Sequence, residues 1–461
     1  MKARMPLNGI LLALFAAAVF LAGCATTGRP GPVEGHAAAG TGTGAARDSL
    51  PSLEGEPTLN DYLAYAALNN PGLRAAFSRW KSALEKVPQA KALPDPRLSH
   101  SQYLEAVETR VGPQRWNVSL AQTFPWFGTL GLRGRAATYA ADAARMHYEA
   151  ARLKLVYTVK NAYYEYHYLS RAIAVTEKNV EFLKEFEDDV LARFKVGAAP
   201  YSAVIRARVE LGKLEDRLDS LRDLQGPIAA RLNAALNRPP DAPVPWPKEL
   251  PQSKTSTTSA ELLEWLAQNN PELKALDFAA ARERAAVALA KKDRFPDLTL
   301  GVTYIETDEA LMAGTPDSGK DPVIAMLSIN LPIWARKYNA AEREAGARLA
   351  AALEERQDKA NTLAAELKMA WYNFRDAERK ITLYNEKLIP DAKDGRDVTQ
   401  TAFEADTAGF LDLIDAERTL LEFQLLYERA LADRAQRLAE LEMLVGTTVP
   451  RSGQEAQPGT N

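Results

Sequence analysis

Among the residues whose type and spacing could do chemistry, Asp412 and Asp415 stand out. They lie in GFLDLIDAER, residues 409–418, one helical turn apart, so one face of a helix can carry both. Like charges about 6 Å apart interact by roughly 3 kcal/mol at an effective dielectric of 20, so such a pair attracts a cation or holds a proton. The same residues also suit the start of an ordinary helix: acids there favour the dipole, and Asp415 can pair with Arg418 at i, i+3. Little else is chemically pointed. His36, His100, His147 and His167 are scattered without metal-ligand spacing, the methionines are dispersed, and no phosphate-cradling glycine loop or nucleophile motif occurs. The chain therefore reads as no enzyme and as carrying no cofactor. A formal charge of −3 gives no cationic excess for nucleic acid.

Cys24 is the only cysteine. It follows Leu21-Ala22-Gly23, behind Lys2, Arg4 and an apolar run over 10–21 that is too short to span a bilayer. That order resembles a bacterial lipoprotein signal: residues 1–23 would be removed and Cys24 acylated. Ala25 after it is compatible with sorting to the outer membrane. Residues 24–56, rich in Gly, Ala, Thr and Pro, bury too little to fold alone and read as a tether.

The elements that must position the aspartates follow from periodicity. In 115–134, Trp116, Val118, Leu120 and Phe124 alternate with Asn117, Ser119, Ala121 and Thr123, the two-residue period of a strand with lipid on one side and a polar lumen on the other. Pro125 and the glycines at 128, 131 and 134 then turn the chain into a helix. The passage recurs at 323–341, and the likeness runs the length of the chain: Asn69-Asn70-Pro71 matches Asn269-Asn270-Pro271, Leu93-Pro94-Asp95 matches Phe295-Pro296-Asp297, and Phe194 matches Phe403. We read two repeats, 57–250 and 251–446, before a disordered tail at 447–461. Each has a helix, a β-hairpin (about 97–126 and 297–333) and a long helix hairpin (about 129–237 and 336–445).

Residues 130–194 contain no proline and make a helix of roughly 100 Å. Leu155, Ala162, Leu169, Leu183 and Val190, with Val159, Tyr166, Ile173, Val180 and Phe194, keep a seven-residue repeat. Tyr163, Tyr164, Phe182 and Phe186 lie off that seam, so the helix packs on two sides, as a ring requires. Four strands cannot close a barrel, and an open edge in lipid leaves backbone groups unpaired. The barrel must be shared, and three copies are the smallest number that leaves room for water. Trp116, Phe124, Trp126, Phe127, Tyr304 and Trp334 lie near strand ends, where an interfacial girdle is expected.

The two-fold repeat, LPDP at 93–96, QTFPWFG at 122–128, FKVGAAPY at 194–201 and FLDLIDAER at 410–418 together resemble the outer membrane factor family, the TolC-like efflux ducts. The lipobox and FPWFG look most similar to its lipoprotein members serving heavy-metal and drug pumps of the resistance-nodulation-division class. The resemblance implies a membrane α+β fold: a homotrimeric, 12-stranded outer-membrane β-barrel, four strands per protomer, continued by a periplasmic α-helical coiled-coil barrel. It implies docking to a periplasmic adaptor and an inner-membrane pump. It places a selectivity gate at Asp412 and Asp415, and adaptor-docking turns at Gly197, Pro200 and Tyr201 and at Gly409 and Phe410. The chain departs from the family pattern at Ala408 and Phe403, where a latching arginine and tyrosine are expected. Asp406 stands where the first repeat has Gly197, so Gly409 is expected to take over that turn. Ala203 and Arg206 stand where the second repeat has its aspartates, so the acidic ring comes from one repeat only. Two rivals remain: a poreless periplasmic coiled-coil scaffold lipoprotein, and the duct of a type I protein secretion system.

Overall fold

The structure, a computed structural model, describes residues 51–248, 250, 255–405 and 407–451. Cys24, the signal segment and Asp406 lie outside them. The elements run α1 (Leu59–Asn69), α2 (Pro71–Lys91), β1 (Arg97–Val107), β2 (Gln114–Phe124), α3 (Thr129–Lys195), α4 (Tyr201–Asp223), α5 (Gln225–Leu236), α6 (Ser259–Asn269), α7 (Pro271–Lys292), β3 (Leu298–Thr307), β4 (Val323–Ile329), α8 (Ala335–Leu383), a π-helical turn (Tyr384–Leu388), α9 (Ile389–Glu404) and α10 (Phe410–Val445). Among the described residues no helix is long and apolar enough to cross a membrane.

The duplication is physical as well as textual. Thr58 and Thr258 each close a capping box, with Asp61 and Glu261 respectively. Asn70 and Asn270 each end one helix and cap the next, with proline following at a position whose missing N–H costs nothing. The same side chains clamp the returning helices: Asn70 Nδ2 donates to the Ala235 carbonyl at 2.9 Å, and Asn270 Nδ2 to the Leu444 carbonyl at 2.8 Å. Asn270 is 3 % exposed. Asn270→Ala is therefore expected to cost about 2 kcal/mol, cap and buried bond together, and Asn70→Ala less. Urea midpoints of the two variants, followed by far-UV circular dichroism, check the order.

Prolines break the long helices where periodicity alone shows no break. Pro227 cannot donate to the Asp223 carbonyl and its ring crowds it, and α4 gives way to α5 at Leu224. In the second repeat Pro390 stands behind the π-helical turn, where the Ile389 N–H reaches back to the Tyr384 carbonyl. α3 has no proline and runs 67 residues unbroken.

The four strands form one antiparallel sheet in the order β1-β2-β3-β4, so each repeat gives one hairpin and β2–β3 joins them. The register sorts the side chains. Val118 pairs with His100 and Tyr304, and Leu120 with Leu98 and Val302, so one face is dominated by large apolar groups. Ser119 pairs with Ser99 and Thr303 on the other, where Ser99 and Ser119 hydroxyls meet at 2.7 Å and those of Thr123 and Thr299 at 2.9 Å. Ile305, Ile324 and Met326 share that second face. β1 and β4 end the sheet without pairing to each other, and Leu104 on β1 and Leu327 on β4 are wide open, 97 % and 69 % exposed.

α3 buries two faces: Val159, Ala162, Tyr166, Leu169, Val180, Leu183 and Val190 on the seam, and Tyr163, Tyr164 and Phe186 off it. Phe194, the last seam residue, is exposed. Both ends of the body reach further than composition suggests. Leu53 is buried beside Tyr62, and Glu56 pairs with Lys248, so the tether's last residues lie on the body. Val449, assigned from sequence to the tail, is 2 % exposed beside Leu262 and Leu441, because apolar contact decides order more than terminal position.

Candidate functional site

The tip of the helical region is made by two turns. α3 stops at Lys195 because Gly197 takes the left-handed conformation, φ 79°, and the Ala198 N–H bonds to the Arg193 carbonyl at 2.8 Å. Pro200 precedes α4 and Tyr201 begins it, its ring 5.2 Å from that of Phe194 across the turn. The second turn is built differently. The N–H groups of Thr407 and Ala408 both reach the Ala402 carbonyl, at 2.8 and 3.1 Å. Gly409 has φ −81° and ψ 157°, ordinary extended backbone, so it does not take over the role of Gly197. It is instead the residue that caps α10: the Asp412 carboxylate accepts its N–H at 2.9 Å, and a Cβ there would stand 3.2 Å from Asp412 Oδ2. Phe410 stacks on Phe186 at 5.4 Å.

Asp412 and Asp415 share the exposed face of α10, opposite buried Leu413, Ile414 and Glu417. Each is held locally. Asp412 caps its own helix, and Asp415 Oδ1 lies 3.3 Å from Arg418, which also reaches Glu210 on α4 at 2.5 Å. Arg206 on α4 is an exposed helix charge.

Two further ties escape a reading by motif. The Arg193 guanidinium lies over the Phe403 ring at 4.6 Å and donates to the Phe403 carbonyl at 3.2 Å, fixing the end of α9 to the end of α3. The Phe403 ring also meets Phe186 at 5.3 Å, so where the family pattern has a tyrosine this chain has an aromatic and cationic contact. Arg396 on α9 faces Glu417 on α10 at 3.7 Å and sits over the Phe182 ring. The basic last turn of α3 was the only sequence signal for the first of these ties, and none marked the second.

Glu417 is 7 % exposed, and burial pushes its carboxyl above the usual range against the pull of Arg396. A carboxyl raised in the fold contributes stability below its unfolded pKa and loses it as pH rises through its folded one. Glu417→Gln is expected to raise thermal stability at about pH 8 by about 1 kcal/mol and to change little at about pH 4. Melting curves of both proteins at the two pH values test this.

The frame around these residues is a two-faced, open-edged four-stranded sheet joined to long helices, each repeat supplying one β-hairpin and one set of helices. The family model described as outer membrane efflux protein matches residues 63–238 and 262–447, and the chain belongs to that family. It is 22 % identical over 419 residues to nodulation protein T of Rhizobium leguminosarum bv. trifolii, covering 85 % of this chain and 86 % of that one. It is 23 % identical over 413 residues to the cobalt-zinc-cadmium resistance protein CzcC of Cupriavidus metallidurans, covering 85 % and 90 %. The fold is similar to that of the outer membrane protein VceC of Vibrio cholerae, with a TM-score of 0.71 at 19 % identity over 85 % of this chain and 97 % of that one.

Proposed function

We propose that three copies of this chain close a 12-stranded barrel in the outer membrane and a helical tube in the periplasm. The assembly is a passive duct for small solutes delivered by an inner-membrane pump of the resistance-nodulation-division class through a periplasmic adaptor. The single observation that carries this reading is the sheet: one face dominated by apolar groups, one rich in hydroxyls, and two edges left for other copies. Similarity to CzcC favours divalent metal ions as cargo. Asp412 and Asp415 form the gate, as two stacked acidic rings at the tip. The turns holding Gly197, Pro200 and Tyr201 and holding Gly409 and Phe410 are the adaptor's landing surface. Cys24 carries the lipid that fastens each protomer to the membrane.

Purified protein in a planar bilayer tests the reading. Small, discrete, cation-favouring currents are expected. Well-folded protein that passes no current would overturn the duct and leave a scaffold. Growth of a deletion strain on cobalt, zinc and cadmium salts separates metal from other cargo: unchanged tolerance rejects the metal assignment.

A further inference from the structure

The charges around the barrel are unevenly placed. At its far end the β1–β2 and β3–β4 connections, residues 105–115 and 306–322, carry seven carboxylates against three cations. At the end where strands meet helices the balance inverts. The four passages there, residues 88–96, 125–136, 290–297 and 330–342, carry eight cations against four carboxylates.

Much of that negative charge is already engaged. Glu342 is taken by Arg294 at 2.7 Å and Lys291 at 3.7 Å, and Asp297 accepts the Trp126 N–H at 3.1 Å. Lys91, Arg133, Arg135 and Arg336 are exposed and make no ion pair among the described residues. They stand among aromatic groups. Trp126 stacks on Phe295 at 5.1 Å, Lys292 lies over the same Phe295 ring at 5.4 Å, and Phe127 and Trp334 are 83 % and 70 % exposed.

We propose that this basic and aromatic belt binds the phosphodiester headgroups of anionic phospholipids in the periplasmic leaflet, phosphatidylglycerol being the simplest. The inference rests on the outer-membrane reading above. Aromatic rings with one wet edge settle at the headgroup level, and unpaired Lys and Arg beside them meet phosphate. The sheet sets the depth: its strands of up to 11 residues place the belt at the inner boundary of the hydrocarbon. The acidic far rim would repel the same lipids, so the asymmetry also fixes which way the barrel faces.

The test uses the full-length protein in vesicles of phosphatidylethanolamine with about one-fifth phosphatidylglycerol. After gentle extraction, the lipids retained by the protein are quantified. Each cation near a charged surface is worth about fivefold in partitioning. The unaltered protein should retain phosphatidylglycerol at least about fivefold above its bulk share, less so in about 1 M salt. Lys91→Gln/Arg133→Gln/Arg135→Gln/Arg336→Gln should retain it at bulk share, and the variant exchanging each lysine and arginine for the other should keep the enrichment. The salt comparison on unaltered protein decides the matter even where the neutralised variant fails to fold. Insertion without enrichment overturns the belt alone. So does a neutralised variant whose lipids are unchanged while its pore selectivity shifts, since those cations would then face the lumen. Failure to insert overturns the membrane reading together with the belt.

Discussion

Glu442→Ala is expected to lower the stability of the helical body by about 3–5 kcal/mol, the largest loss expected from any single polar side chain here. Glu442 on α10 and Lys160 on α3 meet at 2.5 Å with side chains 10 % and 12 % exposed, and Arg451 approaches the other carboxylate oxygen at 3.7 Å. The partners are far apart in sequence, so the pair fastens the end of the second repeat to the middle of the first. Removing the carboxylate leaves a largely buried ammonium, 12 % exposed, without its partner. Lys160→Met/Glu442→Leu, which removes both charges and fills the space, should fall within about 1 kcal/mol of the unaltered protein. Lys184→Ala, at a pair exposed on both sides, should also cost within about 1 kcal/mol. Urea unfolding followed by far-UV circular dichroism measures all three; an equal loss in the single and double variants would mean that packing, not charge, holds this contact.

That pair belongs to a set invisible to periodicity. Arg429 reaches both Glu165 oxygens at 2.9 Å, and Arg171 reaches Glu428 at 2.9 Å, so α3 and α10 are laced by ions along their contact. A heptad reading finds which apolar residues face inward, because burial follows the period of the helix. It says nothing about which charges meet, because partners in the two repeats can be paired only once both helices are in place. The sheet was legible for the same reason: Val118 and Ser119 occupy opposite faces whatever strand they pair with. The breaks before Pro227 and Pro390 were written in the sequence and could have been read from the missing donor. Gly409 was the harder case. Glycine suits a left-handed turn and also suits a helix cap crowded by a carboxylate, and only the position of Asp412 decides between them.

Asp412→Ala/Asp415→Ala is expected to raise the open probability of the duct by roughly tenfold. The argument starts from what each carboxylate now holds. Asp412 fixes the first turn of α10 through the Gly409 N–H, and Asp415 steadies Arg418, which ties α10 to α4 through Glu210. Each tie is worth about 1 kcal/mol within its own protomer and exists in the open tip as well as the closed one, so only the difference between the two states, about 1.4 kcal/mol over the whole tip, moves the gate. Single-channel recording in a planar bilayer reads both consequences: longer open times, and a loss of cation preference as six carboxylates leave the rings. Arg418→Ala separates the two. It keeps both aspartates but breaks the link to Glu210, so it should lengthen openings while cation preference stays. Currents indifferent to all three substitutions would leave the duct standing and remove the gate from this tip. In that case the aspartates would do only what they do within one protomer, starting α10 and pairing with Arg418.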